Sequence, residues 1–122
     1  MSDSLRGRCV WLVVPDDPKG DARPAIVLAE RDDSEMVVAV VGFGNIHRDQ
    51  DKVVVEASSR FARQWKGGGG NGLTKDTAFC LDNIALVDRS LIRQICFPIG
   101  PLFMAKFEVL YVAWLAASSR DR

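Results

Sequence analysis

The chain opens as a series of short apolar runs separated by polar punctuation. Residues 9–14 (CVWLVV) are rich in β-branched side chains and stop at Pro15, as a strand does. Residues 15–24 (PDDPKGDARP) concentrate Pro, Asp and Gly and read as a loop. Residues 25–29 form a second strand and 31–35 a polar turn. Residues 36–41 (MVVAVV) form a third strand, so continuously apolar that both its faces are expected to be buried. Gly42, Phe43, Gly44 and Asn45 break that run. Residues 52–56 and 77–81 predict a fourth and a fifth strand, and 84–87 a sixth strand or an extended segment. Residues 58–66 read as a helical turn or a loop. The glycines from Gly67 to Gly72 make the most flexible stretch. Residues 90–95 suit a short helix that starts near Ser90. Pro101 then stands at a first helical position, and 102–117 predict one helix of about four turns.

Many short strands followed by one late helix predict a mainly β (α+β) fold, a small β-barrel with a C-terminal helix. At 122 residues and 13.5 kDa the chain fits one domain over 1–122. Its core is expected over about 5–117, with mobile loops at about 15–23 and 66–72. The glycine run reads as a surface loop, because neither side of it is long enough for its own core. The C-terminal helix is unusual, since Lys106 and Glu108 are the only charges in 102–117 and apolar residues surround its axis. Such a helix is usually buried. Either it crosses its own barrel or a second subunit covers one face, and the two readings are compatible. Its greasiest stretch, residues 109–117, is shorter than the ~20 apolar residues of a bilayer span. With no apolar signal region near the start, no membrane partner is expected.

Composition narrows the function. Apolar residues make up 48% of the chain and charged residues 26%, which excludes global disorder. The formal net charge is zero, so bulk attraction to a polyanion is excluded and a nucleic-acid role needs a local basic surface. The charges are unevenly spread. Residues 1–61 hold 8 basic and 11 acidic side chains, a balance of −3. Residues 62–122 hold 8 and 5, a balance of +3. Cys9, Cys80 and Cys96 are odd in number and form no close pair, so a reduced, cytoplasmic location and no metal site are expected. Cys9 and Cys96 sit in apolar runs and read as small core residues.

Motifs for chemistry are few. Nothing after the glycine run completes a phosphate loop, and a single histidine, His47, rules out a two-histidine mechanism. Three clusters remain. The first spans Lys19 to Arg23, where an arginine just before Pro24 suits phosphate or developing negative charge. A solvated loop arginine is the plainer reading. The second holds Asn45, His47 and Arg48 after the third strand. His47 has the chemistry of an acid or base near neutral pH, or is a polar surface residue. The third is Arg60, Phe61, Arg63, Trp65 and Lys66. Basic and aromatic residues so interleaved suit single-stranded nucleic acid. Alternatively Phe61 and Trp65 pack inward at i, i+4 on a short helix.

The order of the motifs carries a resemblance. Arg6-Gly7-Arg8-Cys9-Val10-Trp11, a polar loop, then Arg23-Pro24-Ala25-Ile26-Val27-Leu28 resembles the opening of the MazF/PemK-like toxins. Gly72-Leu73-Thr74-Lys75-Asp76-Thr77 resembles their G-L-x-x-(S/T) element. The stretch from Ile84 through Gly100-Pro101-Leu102 into the last helix resembles their ending. The likeness covers about residues 5–117. It implies an SH3-like barrel of the MazF/CcdB-like kind, a homodimer, and an endoribonuclease that cleaves single-stranded RNA without metal or other cofactor. It also implies a cognate antitoxin partner. Arg23 falls on the family's catalytic arginine. Lys19, Arg48, Arg60, Arg63, Lys66 and Lys75 are the candidate RNA-binding residues. The family's catalytic Thr falls at Gly42 in one alignment. In another, Asn45 takes the Thr place and His47 the Gln place. Neither supplies a hydroxyl, so Asn45 or His47 is the expected substitute. The alternatives are a catalytically inactive member that binds protein or nucleic acid, or a toxin acting on a protein such as a topoisomerase.

Overall fold

A computed structural model describes residues 4–14, 22–31, 35–59, 66–67, 70–71 and 75–120. The chain is mainly β with one α-helix. The strands are β1 (Arg8–Val13), β2 (Ala22–Glu30), β3 (Met36–Phe43), β4 (Lys52–Val55), the two-residue β5 (Lys66–Gly67) and β6 (Gly70–Asn71), β7 (Thr77–Asp88) and β8 (Ile92–Pro98). Helix α1 runs over Pro101–Arg120. Six strands form one antiparallel sheet in the order β4-β7-β3-β2-β1-β8, while β5 and β6 pair only with each other. The sheet is not closed, because its edge strands β4 and β8 do not pair. It is an open sheet, where the sequence predicts a barrel.

The apolar runs became strands, with three differences. Residues 77–81 and 84–87 belong to one 12-residue strand, β7, and Asp82 and Asn83 do not interrupt it. Residues 90–95 are not a helix. Arg89–Leu91 make one 3-10 turn, capped by the Asp88 carboxylate, which accepts from the Ser90 N–H at 2.8 Å. The β-branched and aromatic residues that follow enter β8. Ala22 and Arg23 are strand residues, although the sequence places them in a loop. In the glycine run, Gly67 and Gly70 sit in the small β5–β6 pair.

Alternation along each strand splits the core in two. One face carries Cys9, Trp11, Ile26, Val40 and Phe79, and α1 covers it with Phe107 and Leu110. The Phe107 ring meets Phe79 edge-on, with centroids 5.4 Å apart. The other face carries Val10, Leu12, Ala25, Val27 and Val41, covered by Leu5, Leu91 and Ile92. As expected, β3 is buried on both sides, from Val37 to Gly42. Cys9 and Cys80 are buried and Cys96 is half-buried, all three as free thiols. Burial, reinforced by the neighbouring Cys96, pushes the Cys9 thiol far up despite Arg8 nearby, which makes it inert.

The N-terminal segment is fastened to the sheet. Gly7 has φ +79°, the left-handed region that favours glycine. That turn lets the Gly7 N–H donate to the Val27 carbonyl at 2.8 Å while its own carbonyl accepts from Ile99 at 2.8 Å. Glu30 gathers the rest. Its Oε1 accepts from Ser4 Oγ at 2.8 Å and from the N–H groups of Leu5 and Arg6 at 2.5 and 3.1 Å. Its Oε2 meets Arg89 at 3.0 Å. Partial burial opposes the charge, but these donors and Arg89 outweigh it and hold the carboxyl below its usual range.

Helix α1 departs from its expected burial. Only an inner stripe is buried, while Leu102, Val109 and Val112 are 84%, 71% and 63% exposed. By length and composition α1 is apolar enough to cross a membrane, over Pro101–Ser118. The sequence expectation counted only the unbroken run 109–117. Lys106 and Glu108 break that run without making the whole helix polar. The helix is tied to the fold by Phe107 and Leu110, and by the ion pair of Glu108 with Arg6.

Candidate functional site

The register of three strands places Arg23. Arg23 stands opposite Leu12 of β1, and its guanidinium lies over the Phe43 ring, 4.9 Å from the centroid. Arg23 therefore projects on the face with Leu12, Ala25 and Phe43, away from α1. The arginine is held by a strand and a ring rather than displayed on a loop. A guanidinium fixed over an aromatic face keeps its donors in a fixed fork, suited to a phosphate.

Phe43 also brings in the second cluster. β3 ends there, and the 44–50 segment turns back at the same end of the sheet. The Asn45 side-chain oxygen accepts from the His47 N–H at 3.2 Å, so Asn45 shapes the turn that presents His47. His47 is exposed. The pairing of Phe43 with Ala78 sets the start of β7, with buried Thr77 and with Lys75 just before it, at this same end. Lys75 is exposed, and its carbonyl accepts from the Thr77 hydroxyl at 3.0 Å.

Arg48 is turned elsewhere. It pairs with Asp82 at 3.2 Å, beside Gln50, which also donates to Asp82 at 3.0 Å. Its carbonyl accepts from Lys52 at 2.6 Å. Arg48 thus ties the turn to β7, and its charge is partly neutralised. Lys19, Arg60 and Arg63 lie outside the described residues, as does the alternative of Phe61 and Trp65 packing inward. Of Lys66 only the backbone, in β5, is described.

The two alignments of the missing hydroxyl separate here. Gly42 faces the α1 side of the sheet. A Cβ there would lie 2.5 Å from Thr77 Cγ2 and 2.8 Å from the Phe79 ring. Position 42 has no room for a side chain and looks away from Arg23. Asn45 and His47 follow Phe43 at the Arg23 end, so the second alignment is the one compatible with the geometry.

A second basic cluster escaped the sequence reading. A cleft of about 560 Å³ opens between the N-terminal segment and β8, on the Arg23 face. Arg8, Arg89 and Arg93 line it, with Ser4, Gln94 and the apolar Leu5, Ile92 and Ile95. Arg8 donates to the Cys96 carbonyl at 3.0 Å. The Nε atoms of Arg8 and Arg89 are sealed from solvent without a hydrogen-bond partner among the described residues. The three arginines are more than 80 positions apart at the extremes, so no local motif marks them. The only signal was the basic balance of the second half. Among the described residues, no cluster of three or more His, Cys, Asp or Glu side chains is placed to hold a metal.

The open six-stranded antiparallel sheet with one C-terminal helix defines the class to which this fold belongs, an α+β architecture that is mainly β. Among solved structures, the chain is similar to an endoribonuclease in complex with its cognate antitoxin from Mycobacterial species. The two share a TM-score of 0.59 at 18% identity, over 95% of this chain and 96% of that one. At that identity the likeness shows a shared fold. No protein-family model matches the chain, and no curated protein matches it in sequence.

Proposed function

We propose that this protein is the toxin of a toxin–antitoxin pair and an endoribonuclease acting on single-stranded RNA. The observation that carries the reading is Arg23 seated over Phe43, on a fold shared end to end with an endoribonuclease that binds an antitoxin. In the proposed reaction the 2′-hydroxyl attacks the adjacent phosphorus. The 2′-hydroxyl gives its proton to a base as the P–O2′ bond forms, the P–O5′ bond breaks, and the 5′-oxygen leaves after taking a proton. Arg23 offsets the charge that grows on the non-bridging oxygens. His47, presented by the Asn45 turn, is the group with suitable chemistry to move a proton there. No step in this scheme calls on a metal. A reduced compartment such as the cytoplasm suits the three free thiols.

The exposed stripe of α1 supports a homodimer, since a small domain seldom leaves such side chains uncovered. The position of Gly42 favours a second reading, in which the site binds RNA without cutting it. A long RNA incubated with the protein in EDTA separates the two. Discrete fragments from the wild type, reduced at least a hundredfold in Arg23→Ala (roughly the effect of losing one transition-state donor), support the nuclease. Retention of intact RNA by the wild type, weakened in Arg23→Ala, supports the binding module. Intact, unbound RNA in both cases sinks both readings.

A further inference from the structure

We propose that the cleft of Arg8, Arg89 and Arg93 is a second phosphate-binding locus, which holds the same RNA strand that Arg23 engages. The proposal rests on the RNA reading and deepens it by giving the strand a path.

The path follows from register. Leu12 stands opposite Arg23 on one side and opposite Ile92 on the other. Arg23, Leu12 and Ile92 therefore form one row across β2, β1 and β8. Two inter-strand spacings set Arg23 and Ile92 roughly 10 Å apart. Leu12, Phe43 and Ile92 share one core cluster, so this row lies on the Arg23 face. Arg93 follows Ile92 directly, and the cleft begins there. At its far side Arg8 lies four residues along β1 from Leu12, roughly 13 Å.

The chemistry of the cleft suits a nucleotide strand. Three arginines line the cleft, and among the described residues no carboxylate does. Glu30, beside the cleft-lining Arg89, is shared between Arg89 and the N-terminal N–H groups. Asp88 is occupied in capping the turn. Arg8 and Arg89 are each anchored by one terminal nitrogen, to Cys96 and to Glu30, and keep donors in reserve. Both Nε donors lack a partner, so the side chains gain hydrogen bonds by reorienting onto an anion. Leu5, Ile92 and half-exposed Ile95 provide apolar surface beside those charges, which a bare phosphate site would not need and a base can cover. An acidic protein segment shares the charge requirement but would not explain the continuity with Arg23.

The test measures binding of 2′-O-methyl RNA, which resists cleavage, to the full chain across a salt series. Two oligomers are used, of about 4 and about 12 nucleotides, the shorter too small to occupy both loci. Arg93→Gln and Ile95→Glu are the variants. Both positions are exposed, and thermal melts check that the fold persists. Expected is a several-fold loss of affinity for the long oligomer in both variants. In Arg93→Gln the log–log salt slope also falls by about 0.7, one phosphate contact. Cleavage of the short unmodified oligomer should not change. Unaltered affinity and slope for the long oligomer, with a wild type that binds and cleaves RNA, overturn the second locus and leave the RNA reading standing. Loss of polyglutamate binding in Arg93→Gln, with RNA binding intact, also overturns it and assigns the cleft to an acidic protein. A wild type that binds no RNA removes both.

Discussion

Beneath α1, the sheet shows Cys9, Ile26, Val40 and Phe79 to a helix that answers with Phe107 and Leu110. The opposite face has a similar strip of Val and Leu, but its margins hold Arg23, Arg8, Arg89 and Arg93. The difference comes from what covers each face. A 20-residue helix covers the first, and Asp51, Lys52 and Lys106 line a cleft where that helix meets β4. Among the described residues, the second is covered by Leu5 and the short crossing of Leu91 and Ile92. Charged side chains can lie at that edge with their stems on apolar surface and their heads in water. One face is covered by a helix, and the other keeps a cluster of arginines at its margin.

The largest expected effect tests the helix-covered face. Phe107→Ala should remove about 3–5 kcal/mol of stability, because the side chain is fully buried and meets the Phe79 ring edge-on. Chemical denaturation measures it. A loss under about 1 kcal/mol would mean that α1 is not essential to that core. The helix would then be a weakly docked element.

Gly42→Thr comes next and separates the faces directly. Its Cβ would collide with Thr77 and Phe79, so a loss of about 1–3 kcal/mol is expected, with no gain in RNA cleavage. Higher cleavage in this variant would place residue 42 on the Arg23 side and undo the assignment of the two faces.

The legibility of these features in the sequence varied with their range. β1 to β4 were readable from alternation and punctuation, and the helix from Pro101 onward, because each depends on local pattern. The 3-10 turn at Arg89 was not, since Ser90 suits a cap for either kind of turn and only the pairing of Ile92 with Leu12 decides for a strand. Arg23 could be singled out from Pro24 beside it. Its partner Phe43 lies 20 residues away and is reached only through the β2–β3 ladder. Closure of the barrel was over-read, because strand number alone does not say whether the edges meet. The arginine cleft was invisible for the same reason as the Phe43 contact, as its members come from β1, a turn and β8.

Glu30→Gln probes the clamp on the N-terminal segment. Losing the charge should cost about 1–3 kcal/mol near neutral pH, since three donors and Arg89 converge on that carboxylate. The folded carboxyl titrates below its ordinary 4.5, so the native state binds this proton more weakly than the unfolded chain. The contribution is therefore full above 4.5 and is lost as pH falls through the lower folded value. Thermal melts from pH 7 to pH 3 should show the wild type losing its advantage over the variant at the acid end. Parallel curves across that range would mean that the hydrogen bonds matter and the charge does not.

The smallest effect on stability, and the most informative about assembly, is expected from Val109→Lys with Val112→Lys. Both side chains are exposed on α1, so the pair should change monomer stability by no more than about 0.5 kcal/mol each. If the outer stripe is the homodimer surface, two added charges per copy should face their own counterparts and halve the mass seen by sedimentation. Salt should restore part of the association by screening the repulsion. An unchanged dimer would move the subunit contact off α1, leaving the edge strands β4 and β8 as the other unpaired surfaces of the sheet. A contact along β8 would then border the arginine cleft directly, so this experiment also decides whether one copy or two frames the RNA path.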